Sequence, residues 1–310
     1  MLKILMVSEH FNLQKDSIPI GGVQKHITYV SNELLNRGHK VFWEYRKNVL
    51  NNLTNIKPDI VISHDFPSFI EGIKIPQIVI FHGYEGDVPP KEHIKNLRLR
   101  IEKQASKSIC VGKYLLKWYG HNPDKVFWGG VEETPVINLK KENNILYLGR
   151  LDTDQQPLRI FEALGRTDQS YNITVCAEGS LKREIQAIVK KYKLKVTFKG
   201  FVCDPCKYIE KANVVICSGY LSILESYIQK KPVVSSYGND LKKDYLSLLP
   251  RPPIYKNTVE EIAESIDYVF SCLETGSFQK EIEKNYRFAK ENTWKKVVDQ
   301  YEELFKCILK

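Results

Sequence analysis

The chain has 310 residues, of which 43% are hydrophobic and 27% are charged, and its formal net charge is +9. This composition excludes a disordered chain and leaves room for two ordinary domains. The apolar runs are as long as strands and far shorter than the ~20 residues that span a bilayer. We therefore expect no transmembrane helix. Because residues 1–7 lead into polar and charged residues and not into a cleavage site, we expect a cytoplasmic protein.

The first part of the chain alternates short apolar segments with amphipathic ones. A strand at 3–8 is followed by a turn at Gly21 and Gly22, and then by a helix with apolar residues at spacings of three and four. Further strands are predicted at the segments 39–45, 59–63, 77–81 and 108–111. Strands that alternate with helices predict a parallel sheet.

The pattern is lost between about residues 132 and 144 and then starts again. Strands are predicted at 145–148, 172–176, 195–198, 214–217 and from 232, and helices at 158–164, 181–192 and 206–211. We therefore predict an α/β protein of two doubly wound, Rossmann-like domains facing across a cleft, at 1–133 and 134–285. Residues 286–310 carry an amphipathic stripe, which predicts a C-terminal helix that packs back across the N-terminal domain.

The most informative segment is Val214–Ser236, which places a helix carrying Glu225 between two buried strands. The exposed N-terminus of such a helix favours phosphate, and a carboxylate one turn in can accept hydrogen bonds from sugar hydroxyls. Together they indicate a nucleotide site. Alternatively, Ser222 caps the helix and Glu225 returns to its N–H as a capping box. The spacing alone leaves both interpretations open.

A basic segment, Lys91–Lys125, contains nine lysines and arginines, together with Leu115, Trp118 and Tyr119. Basic and aromatic side chains of this kind can make peripheral contact with an anionic membrane. The alternative is an ordinary solvated helix face. Nucleic acid is not predicted as a partner, because no zinc finger, recognition helix or RNA-binding aromatic signature is found.

Other common site motifs are absent or out of context. Neither GxGxxG nor GxxxxGK[ST] occurs, which argues against NAD binding and ATP hydrolysis. The Cys203–Cys206 pair has no second pair to complete a zinc site, and the Asp152–Asp154 pair lies in the loop after Arg150, which is not the setting of a metal-binding motif. Seven scattered cysteines, an odd number, predict reduced thiols. We predict no metal and no other cofactor.

The motifs, in order along the chain, resemble those of the retaining glycosyltransferases of family four, which have the GT-B fold. The resemblance rests on GGVQKH and RGHKV, FHG at 81–83, YLGR at 147–150, AEGSLKREI at 177–185, FKGFV at 198–202, ILE with KPVV, and ENTWKKVVDQYEELF. It implies transfer of a sugar, with retention, from a nucleoside diphosphate sugar to a hydroxyl of a glycan, lipid or protein-linked acceptor. The second domain would bind the donor and the first the acceptor.

The resemblance implies catalytic roles for His82 near the transferred sugar, Arg150 at the diphosphate and Glu225 at the donor ribose. His64, also at a strand end, is a weaker candidate. The predicted donor-binding residues are Gly21, Gly22, Gly149, Arg150, Gly179, Phe201, Val202, Tyr220, Leu221, Ser222 and Glu225.

Two departures from the family pattern favour an alternative. Cys217 stands where the family has a first glutamate for the transferred sugar, and Gln155 stands where it has a lysine, a loss for which Lys182 or Arg183 would have to compensate. The alternative is a degenerate GT-B protein that binds nucleotide or glycan without catalysis. A third hypothesis, ranked below these two, is a nucleotide-sugar epimerase on the same fold.

Overall fold

The computed structural model describes residues 1–9, 21–84, 86–136, 143–202 and 204–309. The chain folds into two compact units, one made of Met1–Gly130 with Trp294–Lys310 and the other of Val131–Thr293. The sequence pattern places the boundaries at 133 and 285, whereas the chain enters the second unit after Gly130 and leaves it after Thr293.

The first unit is built on a parallel six-stranded sheet with the order β2-β1-β3-β4-β5-β6. Its strands are β1 (Lys3–Val7), β2 (Lys40–Glu44), β3 (Ile60–His64), β4 (Gln77–Phe81), β5 (Lys107–Val111) and β6 (Lys125–Phe127). β3 and β4 are buried along their whole length, as strands covered on both faces should be. The strand order reverses between β1 and β3, so the carboxyl end of β3 lies beside a topological switch point.

The helices of this unit up to Gly130 are α1 (Gly22–Asn36), α2 (Arg46–Ile56), α3 (Glu92–Gln104) and α4 (Tyr114–Tyr119). α1 buries the predicted apolar stripe. Gly21 caps this helix, and its N–H donates to Gln24 Oε1 at 2.7 Å. The first amide of the glycine pair is therefore satisfied within the protein.

The basic segment Lys91–Lys125 differs from the exposed surface that its composition suggests. Arg98, Leu115 and Tyr119 are buried, so they do not belong to a membrane-facing surface. Five of its nine cations also pair with carboxylates, Lys91 with Asp87, Lys95 with Glu92, Arg100 with Glu71, Lys107 with Asp124 and Lys125 with Glu303. Among the described residues, no helix is both long and apolar enough to cross a membrane.

The second unit has a parallel six-stranded sheet with the order β12-β11-β10-β7-β8-β9. Its strands are β7 (Asn144–Leu148), β8 (Asn172–Cys176), β9 (Lys195–Phe198), β10 (Val214–Ile216), β11 (Val233–Ser236) and β12 (Ile254–Lys256). The predicted fold class of two doubly wound parallel sheets is confirmed. Because the strand order reverses between β7 and β10, the loops after these two strands meet at a switch point, where open α/β sheets bind ligands.

In the described part of this unit, seven α-helices accompany the sheet: α5 (Pro157–Leu164), α6 (Lys182–Tyr192), α7 (Cys206–Lys211), α8 (Tyr220–Ile228), α9 (Asp240–Ser247), α10 (Val259–Thr275) and α11 (Gln279–Glu291). The apolar faces of α5 and α10 pack on the strands in one continuous core.

The last helix, α12 (Trp294–Ile308), belongs to the first unit and packs against α1. It buries the whole predicted stripe, namely Trp294, Val297, Val298, Tyr301, Leu304 and Phe305. The Trp294 ring stacks on Tyr29, with ring centroids 5.2 Å apart. A Cβ at Gly130 would lie 2.5 Å from the Trp294 ring, so this close approach requires glycine.

Candidate functional site

Three histidines meet near the carboxyl ends of β3 and β4 in the first unit. His64 Nδ1 lies 3.0 Å from His82 Nε2, and the His26 ring centroid lies 4.8 Å from that of His82. The backbone N–H of His82 donates to Asp65 Oδ1 at 2.7 Å, which fixes the turn after β4. His26 and His64 are buried, whereas His82 is half-buried. Of the three, His82 is therefore the histidine that can meet a ligand, with His64 behind it.

Burial lowers the pKa of His26 and of His64 well below the ordinary value of 6.5, and repulsion from His82 lowers both further. Both rings are therefore neutral at pH 7. A neutral His64 shares one proton with His82 across the 3.0 Å contact, so that one nitrogen donates and the other accepts. This arrangement orients the His82 ring.

The two buried histidines predict a loss of stability in mild acid. The unfolded chain binds their protons first, because its histidines keep the ordinary pKa while the folded ones are lowered. The free energy of unfolding should be at its full value above pH 6.5 and fall below it, by up to ~1.4 kcal/mol per pH unit for each histidine. Urea denaturation between pH 7.5 and 5.5 measures this slope.

His64→Asn provides the comparison, because it removes one of the two titrating groups. The variant should show a shallower dependence on pH over the same range, whatever its stability at pH 7.5. A slope that is equal in both proteins would contradict a neutral, buried His64.

In the second unit, Arg150 follows β7 directly after Gly149, and its side chain is 56% exposed. Its guanidinium pairs with Asp154 at 2.7 Å and approaches Asp152 at 3.7 Å. Asp152 also accepts hydrogen bonds from the N–H and hydroxyl of Ser180, and these lower its pKa. An incoming anion has to compete with these carboxylates for Arg150.

The two metal-like motifs have other surroundings. Asp152 and Asp154 are engaged with Arg150, as described above, and Cys203 of the cysteine pair lies outside the described residues. Within the described ranges, no group of three or more histidine, cysteine, aspartate or glutamate side chains is arranged to hold a metal ion.

α8 begins three residues earlier than a capping box at Ser222 requires. Gly219, with an extended backbone, is its cap, and Ser222 is already the third helical residue. The alternative interpretation of Ser222 and Glu225 as a capping box is therefore wrong, because Gly219 caps the helix and lets it start before the serine. In the described part of the chain, the N–H groups of Leu221 and Ser222 have no acceptor. Glu225 is half-buried one turn further along.

Cys217 follows β10 and is buried, and its N–H donates to the Val234 carbonyl at 3.2 Å. Burial raises the pKa of its thiol, which is therefore neutral. The side chain at this position carries no charge with which to accept hydrogen bonds from a sugar. The position expected to hold a glutamate thus holds a neutral, buried thiol next to the start of α8.

Of the other predicted donor residues, Gly179 lies against the loop after β7. A Cβ there would be 2.5 Å from the Leu151 carbonyl carbon, whereas at Gly149 the nearest atom would be 3.8 Å away. Phe201 is 42% exposed and Val202 is half-buried, both just after β9. Lys182, proposed above as a compensating cation, is paired with Glu178 at 2.7 and 3.0 Å.

The contrast between the two glycines gives a prediction. Gly179→Ala should lower the free energy of unfolding by about 1–3 kcal/mol, because the Leu151 backbone would have to move. Gly149→Ala is the matched control and should cost less than about 1 kcal/mol, the difference being read from chemical denaturation. Equal losses would show that the backbone around Leu151 adapts freely.

Sequence reasoning missed two side chains of α9 that reach the start of α8. Lys242 Nζ donates to the Ser218 carbonyl at 2.7 Å, and the Tyr245 hydroxyl accepts from the Tyr220 N–H at 2.9 Å. The Asn239–Asp240 pair is a recognisable helix start, and Asn239 does cap α9. The sequence gives no sign that the helix after β11 leans toward the loop after β10.

The sequence profile of the family described as glycosyl transferases group 1 matches residues 132–287, half of the chain and nearly all of the second unit. The chain belongs to the glycosyl transferases group 1 family. The matched range contains Arg150, α8 and α9, so the cluster at the switch point of the second sheet lies within the range that matches the family.

A curated relative of this group 1 chain is an enzyme from Campylobacter jejuni. It is named GalNAc-alpha-(1->4)-GalNAc-alpha-(1->3)-diNAcBac-PP-undecaprenol alpha-1,4-N-acetyl-D-galactosaminyltransferase. The two are 31% identical over 201 residues, which cover 56% of this chain and 53% of the relative. The match therefore spans about half the length of that enzyme.

Solved structures show the same fold for this group 1 chain. The HepE protein of Anabaena, in complex with UDP and glucose, has a TM-score of 0.77 and 12% identity, with 99% of this chain and 100% of that one covered. A glycosyltransferase from Rickettsia africae has a TM-score of 0.74 and 17% identity, with 100% and 99% covered. At such low identity the likeness establishes the fold, which is GT-B, and not the substrates.

Proposed function

We propose that the chain is a retaining glycosyltransferase that moves a sugar from a nucleoside diphosphate sugar to an acceptor hydroxyl. The observation that carries the proposal is the cluster at the switch point of the second sheet, inside the range that matches the family. There the N–H groups of Leu221 and Ser222 are open, and Arg150 supplies a cation. Open amides at a helix start and a guanidinium are the groups that recognise phosphate.

Each of the three predicted catalytic residues has a role in this proposal. Arg150 would neutralise the diphosphate as the bond between the sugar and its phosphate breaks, and Glu225 would accept hydrogen bonds from the ribose. His82, on the first unit, would stabilise positive charge at the anomeric carbon or contact a sugar hydroxyl. No metal is needed where a guanidinium and helix N–H groups carry the phosphate charge.

We further propose that the acceptor is a glycan carried on a lipid diphosphate. Support comes from the Campylobacter jejuni enzyme, whose name specifies an undecaprenol-linked substrate. Peripheral contact with an anionic membrane would serve such an acceptor. The exposed lysines of the basic segment that could make this contact include Lys103 and Lys113.

The first experiment is the thermal midpoint of the protein with UDP, GDP, ADP and their common sugar conjugates in turn. A ligand at about 100 times its dissociation constant adds ~2.7 kcal/mol to the stability of the folded state. We expect a rise with one nucleoside diphosphate and its conjugates, and loss of that rise in Glu225→Ala. The stabilising donor is then tested for transfer to lipid-linked and soluble glycans, with the anomeric configuration of the product determined by NMR.

The other outcomes have distinct meanings. No rise with any of these compounds, and no transfer or hydrolysis of any donor, would contradict the proposal and favour a binding protein without catalysis. Conversion of the donor in the absence of acceptor would indicate an epimerase. A product with inverted anomeric configuration would contradict the retaining mechanism but not the glycosyltransferase activity.

A further inference from the structure

Lys242 is a buried lysine in the first turn of α9, and the proposed transfer reaction does not yet use it. It is 4% exposed, and its backbone N–H donates to the capping Asn239 side chain at 2.8 Å. Its ammonium donates to the Ser218 carbonyl at 2.7 Å, two residues before α8 begins. The side chain therefore runs from α9 across the carboxyl end of β10 to the start of α8.

Both the position and the burial of this cation are unfavourable for stability. The positive end of a helix dipole lies at its first turn, where a lysine is repelled. Burial removes most of the water that would solvate the ammonium, and it lowers the pKa of Lys242 to about 8. An uncharged residue at this position would destabilise the fold less, which suggests that the charge of Lys242 serves the function of the protein.

The protein only partly compensates the charge. An ammonium has three N–H donors, and within the described residues one of them has an acceptor, the Ser218 carbonyl. The ammonium also lies 3.8 Å from the centroid of the Tyr245 ring, a cation–π contact. Two N–H donors of the ammonium are therefore available to a ligand.

The other charged or titratable groups facing Lys242 come from the neighbouring loops. They are Asp154 and Arg150 from the loop after β7 and the Cys217 thiol after β10. Asp154 is already paired with Arg150 at 2.7 Å. Lys242 and Arg150 thus share the Asp154 carboxylate, so Asp154 does not compensate the Lys242 ammonium alone.

α9 also determines which amides of α8 are open. The Tyr220 N–H donates to the Tyr245 hydroxyl, and the Tyr220 hydroxyl donates to the Tyr245 carbonyl at 2.6 Å, with the rings stacked 3.8 Å apart. Tyr245 therefore covers the first amide, and those of Leu221 and Ser222 come next. This fixed contact holds α9, and with it the Lys242 ammonium, beside the open amides.

We propose that Lys242 binds the terminal phosphate of the donor diphosphate, as a second cation beside Arg150. This inference rests on the proposed function, because it assumes a nucleoside diphosphate at the start of α8. The terminal phosphate is the one released from the transferred sugar, so the ammonium stabilises the charge that develops there when the bond breaks.

The test is nucleotide binding by calorimetry with Lys242→Met, which keeps the length of the side chain and removes its charge. The probes are UDP, GDP and ADP, each paired with its monophosphate. A hydrogen bond to a charged group contributes about 1.5–3 kcal/mol, so affinity for the diphosphate should fall about tenfold to a hundredfold. Affinity for the monophosphate should change much less, so the ratio of diphosphate to monophosphate affinity should fall by nearly the same factor.

Lys231→Met is the matched control. Lys231 is 8% exposed, its ammonium donates to the Glu210 carbonyl at 2.9 Å, and its pKa is likewise lowered to about 8. It lies just before β11, at the opposite edge of the sheet. The control should keep the ratio of diphosphate to monophosphate affinity of the unaltered protein.

The dependence on pH gives a readout that a purely structural role would not show. Affinity of the unaltered protein for the diphosphate should fall as pH rises above about 8, because the ammonium loses its proton. Lys242→Arg should bind with a flat profile from pH 7 to 10, since arginine keeps its charge. The diphosphate affinity of Lys231→Met should fall with rising pH as that of the unaltered protein does.

The outcomes separate this inference from the proposed function. If the unaltered protein binds none of the diphosphates, the proposed function fails. If it binds one and Lys242→Met, shown by its thermal midpoint to be folded, binds it with the same ratio to the monophosphate, the Lys242 inference is overturned. If Lys242→Met does not fold, the test is the dependence of diphosphate affinity on pH in the unaltered protein and in Lys242→Arg. Identical profiles in the two proteins would overturn the Lys242 inference.

Discussion

Replacing Arg150 with alanine is expected to lower kcat/KM for sugar transfer by about a hundredfold, with little change in the stability of the fold. The side chain is 56% exposed and its partners are Asp152 and Asp154, so its removal leaves no buried charge unpaired. A guanidinium that meets charge developing on a leaving phosphate contributes to catalysis as an oxyanion donor does, at ~10²–10³ in rate. Steady-state kinetics with the stabilising donor measure the effect.

Two further variants sharpen this result. Arg166→Ala removes another exposed arginine of the same unit, which is paired with Glu260, and should leave kcat/KM unchanged. Arg150→Lys keeps the charge without the planar fork and should recover part of the activity. Full activity in Arg150→Ala would remove this residue from the mechanism.

Replacing Arg98 with alanine is expected to lower the free energy of unfolding by about 3–5 kcal/mol, the usual cost of removing one member of a buried charged network. The residue is fully buried, and its guanidinium carbon lies 4.2 Å from the Tyr119 ring centroid and 5.0 Å from that of Phe81. Its Nε donates to His121 Nε2 at 3.3 Å. Because Nε2 accepts this hydrogen bond, the ring proton of His121 is on Nδ1, which donates to Glu102 at 2.9 Å.

The chain provides a matched control one half-turn away. Arg100 is on the same helix, its side chain is 60% exposed, and it pairs with Glu71 at 3.1 Å. Arg100→Ala should change the free energy of unfolding by less than about 1 kcal/mol. Urea denaturation of both variants measures the difference, and similar losses would mean that the Arg98 network stabilises the fold no more than a surface pair.

The fold was predictable because its central strands, such as β3 and β4, are buried on both faces and form continuous apolar runs in the sequence. β4 and β8 occur at the predicted residues, and the α12 stripe is buried as predicted. α2 and β6 were missed. α2 buries only Val49 and β6 is three residues long, so neither has the periodicity that signals an element.

The positions of some candidate residues could be predicted because they directly follow a strand. Arg150 and His82 do lie just after β7 and β4, as the sequence indicates, while their roles stay a prediction from the family resemblance. Lys242 was not predicted, since its importance depends on a contact with Ser218, which is 24 residues away in sequence. The helix start at Tyr220 was also misplaced, because Ser222 with Glu225 matches a capping box while Gly219 performs the capping.

The return of α12 to the first unit has a consequence for synthesis of the protein. The first unit lacks Trp294, Tyr301 and Phe305 of its core until the ribosome has made all of the second unit. The second unit is continuous in sequence, so it can complete its folding while the first still waits for its final helix. We therefore expect the side of α1 that contacts α12 to stay uncovered during that interval, so that the second unit completes its fold first, in contrast to the usual N-terminal-first order of multidomain chains.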